Sequence, residues 1–163
     1  MRFWLLSILL NVAYAQATEL EGCAAAEVTD SQGAKFTFWQ HAFENGARDL
    51  AMSPSPATDI KRLTFNHTRG CVYQMLTIAE GLGWGWHLAW ADTQNIYYAR
   101  MDGEAWVSSV PKKIVAENAR DLRFSQDKNV LMLSWQATDG AYQMQSDDEG
   151  RSWQLLTKII TKN

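Results

Sequence analysis

Two groups of side chains in this sequence have the chemistry of a binding or catalytic site. The stretch SDDEGRSW, residues 146–153, sets Asp147, Asp148 and Glu149 side by side between Ser146 and Gly150. Neighbouring carboxylates whose environments differ are what general acid–base chemistry requires. The second group is basic: Arg48, His67, Arg69 and Arg120. Converging guanidinium groups clamp a carboxylate, because their planar fork matches its two oxygens. The plainer reading of each group is structural. An Asp, a Gly, a Ser and a Trp suit one tight β-turn, and Arg48-Asp49 and Arg120-Asp121 read equally well as exposed pairs of little energetic weight.

Other arrangements carry less chemistry. His41, His67 and His87 lie far apart in the chain with no local ligand spacing, so no zinc site is expected. GLGWGW, residues 81–86, lacks the spacing and the following helix of a phosphate-binding loop. Its Trp84 and Trp86 are suited either to stacking on a sugar or to packing in a core. No cofactor is called for.

The elements that must position these residues are strands. After the first fifteen residues the chain shows short aromatic and β-branched runs, such as KFTFWQ, CVYQMLTI, WHLAWA, NIYYARM and NVLMLSWQ, separated by turn signals that include Asn45-Gly46 and Asp139-Gly140. The expectation is an all-β domain. Trp39, Trp90 and Trp135 each fall near the end of a strand, ahead of a polar turn and a further strand. They recur about every 45–50 residues, the spacing of propeller blades built from four short strands. A β-sandwich also shows closely spaced strands, but recurrence of tryptophan and turn in register favours blades. The inner strands are expected at CVYQMLTI and RDLRFS, and at CAAAEV in the less regular first unit.

SDDEGRSW matches in full the Asp-box, or BNR motif, of the sialidase-like β-propellers, and RMDGEAW, one residue shorter, resembles a degenerate copy that keeps Gly103 and Trp106. The resemblance covers the last two repeats well and the first weakly. It implies a partial propeller of about three four-stranded blades, with Ser146, Asp148, Gly150 and Trp153 as a structural turn away from the ligand face. On that face the resemblance puts the lead-ins to the inner strands, and with them Arg69, Arg120 and, close by, Arg48 and His67. Sialidases of this family use three arginines, a tyrosine–glutamate pair and an aspartate; the Phe/Tyr-Arg-Ile-Pro motif that carries the first arginine is absent here. The expected function is therefore a non-catalytic module that binds a glycan or a protein. The alternative is a subunit or fragment of an exo-α-sialidase-type glycoside hydrolase.

Composition sets the compartment and the partners. MRFWLLSILLNVAYA, residues 1–15, has a basic start, a short apolar run and small residues at Ala13 and Ala15. That is the pattern of a secretory signal cleaved near Ala15, leaving one domain, 16–163, secreted or periplasmic. The apolar run is shorter than the roughly 20 residues needed to span a bilayer. With 18 acidic against 15 basic residues and no basic block, nucleic acid is not an expected partner. In an oxidising compartment Cys23 and Cys71 are expected to form a disulfide. Three blades do not close a ring, so a homodimer or a partner chain is expected to complete the propeller by covering apolar flanks.

Overall fold

The computed structural model describes residues 23–54, 59–82, 85–103 and 107–159. The proposed signal, Trp84, Trp106 and most of PSPATD lie outside the described residues. The described chain forms twelve strands and no α-helix. β1 (Ala25–Thr29), β2 (Lys35–Ala42), β3 (Arg48–Pro54) and β4 (Lys61–Arg62) make the first sheet. β5 (Met75–Glu80), β6 (Trp86–Ala91), β7 (Asn95–Met101) and β8 (Lys112–Val115) make the second. β9 (Arg120–Asp127), β10 (Val130–Ala137), β11 (Gly140–Ser146) and β12 (Gln154–Ile159) make the third. Each sheet is an antiparallel meander in chain order.

The sheets stack in sequence. β1 packs on β5, and β5 on β9, while the first and third sheets do not touch among the described residues. The array is thus an open row. Strand alternation makes this possible, because successive side chains point to opposite faces. From the second sheet Leu76, Leu88 and Trp90 enter one core with Phe38, Leu50 and Met52 of the first. Ala89, Ala91 and Ile96 point the other way, into a second core with Leu133, Trp135 and Ala137 of the third. All six residues of β6 are buried in consequence.

The tryptophan repeat has a physical basis. Trp90 lies across from Tyr97 and stacks on it at 5.8 Å, and Trp135 does the same with Tyr142 at 5.4 Å. Each tyrosine hydroxyl then donates to the aspartate of the turn it follows, Tyr97 to Asp92 at 3.0 Å and Tyr142 to Asp139 at 2.7 Å. The indole thereby braces the hairpin that succeeds it. In the first sheet Trp39 faces Ala51 instead, and its N–H donates to His41 Nδ1 at 3.2 Å.

Two expectations change. CVYQMLTI is a strand only from Met75, because Gln40 and Ala91 hold residues 70–74 as a lead-in: the Gln40 amide donates to Gly70 O and accepts from Tyr73 N, and Gln74 N donates to Ala91 O. Of the two outer flanks expected to be apolar, that of the third sheet is polar. Met132, Ser134 and Gln136 alternate with the buried Leu133, Trp135 and Ala137, and share the far face of the third sheet with Arg123, Ser125 and Gln143. That face is compatible with water, so it does not require a second copy to cover it.

Cys23 and Cys71 form a disulfide with Cα atoms 5.1 Å apart, joining the lead-ins of β1 and β5 across two sheets. A link over a sequence separation of 48 contributes about 2–4 kcal/mol, chiefly by restricting the unfolded chain. Thiol titration of unreduced protein is expected to find no free cysteine, and Cys23→Ser with Cys71→Ser to lower the urea midpoint. Two titratable thiols in protein that has not met a reductant would contradict the pairing.

Candidate functional site

Strand register places the two groups of charged residues at opposite ends of the sheets. The β11–β12 turn, with SDDEGRSW, lies at one end. The turns between second and third strands and the lead-ins to β1, β5 and β9 lie at the other.

At the first end Asp148 is consumed by its own turn. Its carboxylate accepts from the Ser152 hydroxyl at 2.6 Å, from Ser152 N at 2.9 and 3.1 Å, and from the Ser146 hydroxyl at 2.8 Å. The Ser152 bonds, with that from Ser146, hold the acid well below the usual carboxylate range. Ser146 Oγ also accepts from Gly150 N at 2.8 Å. Gly150 sits at φ +74°, and a Cβ there would lie 1.6 Å from the Tyr98 hydroxyl of the neighbouring sheet. Trp153 meets the same tyrosine edge-on at 4.9 Å. These residues close a turn and press it against β7.

Glu149 has a use that the turn pattern does not reveal. Its carboxylate accepts from His87 Nε2 at 3.0 Å, while His87 Nδ1 lies 2.8 Å from the Tyr98 hydroxyl. A proton on Nε2 satisfies both bonds. His87 is 1% exposed. Glu149 also accepts from Leu82 N at 3.2 Å, and Lys112 donates to the carbonyls of Gly150 and Arg151. Glu149, with Lys112, therefore fastens the third sheet to the second, while Asp148 closes the turn itself and Asp147 makes no hydrogen bond or ion pair among the described residues. Nothing in the local sequence marks His87 as the partner, because 62 residues separate it from Glu149.

At the opposite end the organising group is Asp49, which is fully buried. It accepts from His67 N at 3.0 Å, from the Thr64 hydroxyl at 3.2 Å and from Arg62 Nη2. Arg62 Nη2 also lies 3.0 Å from His67 Nδ1, and the guanidinium rests 4.4 Å from the Phe43 ring and 4.8 Å from that of Phe65. Removing one partner of such a buried pair costs about 3–5 kcal/mol. His41, Phe43, Glu44, Ile60 and Arg62 line a groove of about 550 Å³ beside this network.

The four basic residues distribute as follows. Arg48 begins β3, pairs with Thr68 and donates to Cys23 Sγ at 3.3 Å. His67 is held by Asp49 and Arg62 with its side chain 56% exposed. Arg69 is exposed two residues before Cys71, and Arg120 is exposed at the start of β9, across from Gln136. Arg48 thus sits on the Cys23–Thr68 side and His67 in the Asp49–Arg62 network, while Arg69 and Arg120 lie at the same end, with no contact between them among the described residues. Asp49, expected in an exposed pair with Arg48, is instead fully buried and bonded to Arg62, a residue the sequence reading missed, because the β3–β4 pairing brings Arg62 over it. Trp86, a candidate for stacking on a sugar, is core, 5% exposed and packed on Phe36 at 4.5 Å.

No family model and no curated protein matches this chain.

Two outcomes follow from the turn and its latch. Gly150→Val introduces a side chain at positive φ against Tyr98 and is expected to cost more than about 1 kcal/mol of unfolding free energy, with any ligand affinity of the folded protein unchanged. Full stability with lost binding would contradict a structural turn. Burial lowers the His87 pKa from 6.5, with Glu149 opposing the shift and Arg100 adding to it. The unfolded chain therefore binds a proton that the native one resists, and stability falls as pH drops below about 6.5. The depressed Asp92 and Asp148 act lower, where stability is lost as pH falls through their folded values. A plot of Tm against pH should decline between pH 6.5 and 5, and His87→Gln should flatten that segment. An unchanged slope would show that another group controls it.

Proposed function

We propose that this chain is an exported, non-catalytic binding module of the sialidase-like Asp-box type. It recognises a carboxylate-bearing glycan, or a protein presenting such a group, at the end of the sheets that carries Arg48, His67, Arg69 and Arg120. The observation that carries this reading is the segregation of charge described above. Asp148 and Glu149 of SDDEGRSW are spent on turn and seam, whereas Arg69 and Arg120 make no hydrogen bond or ion pair among the described residues. Guanidinium groups in that condition are available to an anion. The aromatic groove beside Arg62 supplies apolar contact next to the charge, the mixture small-ligand sites use. Export rests on the leader and agrees with the disulfide.

A glycan array of sialylated, uronate-containing and neutral members tests the proposal. Binding is expected to the carboxylated members, weakened about tenfold or more by Arg69→Ala or Arg120→Ala and unaffected by Arg151→Ala at the other end. A fluorogenic sialoside is expected to stay intact. Equal binding by the Arg69 and Arg120 variants, or no bound glycan or protein at any concentration, would refute the site, and hydrolysis would restore the enzyme reading.

A further inference from the structure

The two sulfurs of the Cys23–Cys71 disulfide have different surroundings. Arg48 Nη1 donates to Cys23 Sγ at 3.3 Å, and its guanidinium makes no other hydrogen bond or ion pair among the described residues. The first sheet puts the cation there. Arg48 alternates with Leu50 and Met52 along β3, so it shares their face toward the second sheet. Its backbone is clasped to Thr68 of the β4–β5 connection, three residues before Cys71.

The Cys71 sulfur has no hydrogen bond among the described residues. Gly70, Cys71 and Val72 are exposed, whereas Cys23 and Ala24 are half-buried and Ala24 packs on the first core. The segment around Cys71 does not owe its place to the covalent link alone. The buried Gln40 amide donates to Gly70 O at 3.0 Å and to the Thr68 hydroxyl at 2.9 Å, and accepts from Tyr73 N. Opening the bond therefore leaves the lead-in to β5 held on both sides of Cys71.

Thiol–disulfide exchange depends on access to the sulfur attacked and on how readily the other sulfur leaves as a thiolate. A neighbouring guanidinium favours the thiolate and supplies it with a charge-assisted hydrogen bond. Access favours attack at Cys71, and Arg48 favours departure of Cys23. Both conditions select the same direction of opening.

We propose that Cys71 is a thiolation site, at which a low-molecular-weight thiol displaces Cys23 and Arg48 holds the departing sulfur. The incoming thiolate, its proton already lost to water, forms a bond to Cys71 Sγ. The Cys23–Cys71 bond breaks, and its electron pair leaves on Cys23 Sγ. One disulfide is exchanged for another, so no oxidant or reductant enters beyond the thiol itself. The proposal does not depend on which ligand binds at this end of the sheets.

The test exposes the full, unreduced chain to millimolar glutathione at mildly alkaline pH, followed by acid quenching, alkylation of free thiols and peptide mass spectrometry. Glutathione is expected on Cys71 and the alkyl label on Cys23. Arg48→Met should slow adduct formation about threefold or more, and Arg48→Lys, which keeps the cation, should recover part of that rate. The position of the adduct is read on the unsubstituted chain, so the test stands even if the Arg48 variants do not fold. Glutathione mainly on Cys23 or shared evenly, no adduct at all, or an Arg48→Met rate equal to that of the parent would overturn the proposal.

Discussion

The structure depends on one constraint: the second sheet is apolar on both faces, and a sheet of that kind is stable only between two others. β6 is buried along its whole length, with Leu88 and Trp90 serving one core and Ala89 and Ala91 the other. At about 25 cal/mol for each Å² of apolar surface removed from water, neither face can be left exposed without a large loss. The first and third sheets are therefore obligatory neighbours. The third, by contrast, needs only one covered face, and its other face is built from serine, glutamine and arginine. That asymmetry lets the third sheet face water on one side.

Apolar seams are non-directional, and polar groups fix how the sheets register. Asp49 and Gln40 are fully buried at one end, and each is satisfied by the chain that passes from β4 to β5. At the other end His87 and Tyr98 of the second sheet meet Glu149 of the third. An unpaired buried group of this kind costs more than a paired one returns, so a shifted seam is penalised at both ends. The two ends therefore differ in character. The turn end spends Asp148 and Glu149 on structure, while the lead-in end leaves Arg69 and Arg120 exposed.

Much of this was legible in the sequence, because strand periodicity, turn residues and the tryptophan interval are local properties. They determine an all-β chain with three repeating units, and the inner strand guessed at CAAAEV lies where β1 forms. The pairing of Cys23 with Cys71 followed from their number and compartment. The turn residues Ser146, Asp148 and Gly150 could be read because a turn is closed by groups within a few positions of one another.

Tertiary structure decided what depends on groups distant in sequence and on which face a side chain takes. That Asp49 and Arg62 form a buried pair, and that Glu149 reaches His87, depends on strands brought together by burial rather than by spacing. The start of β5 at Met75 instead of Cys71 depends on Gln40, whose amide occupies the preceding lead-in. The exposure of Asp121 beside the buried Leu122 depends on a bulge, a one-residue departure from alternation that leaves no mark in hydrophobic pattern. A two-residue period tells which side chains share a face; only packing tells which face meets another sheet and which meets water.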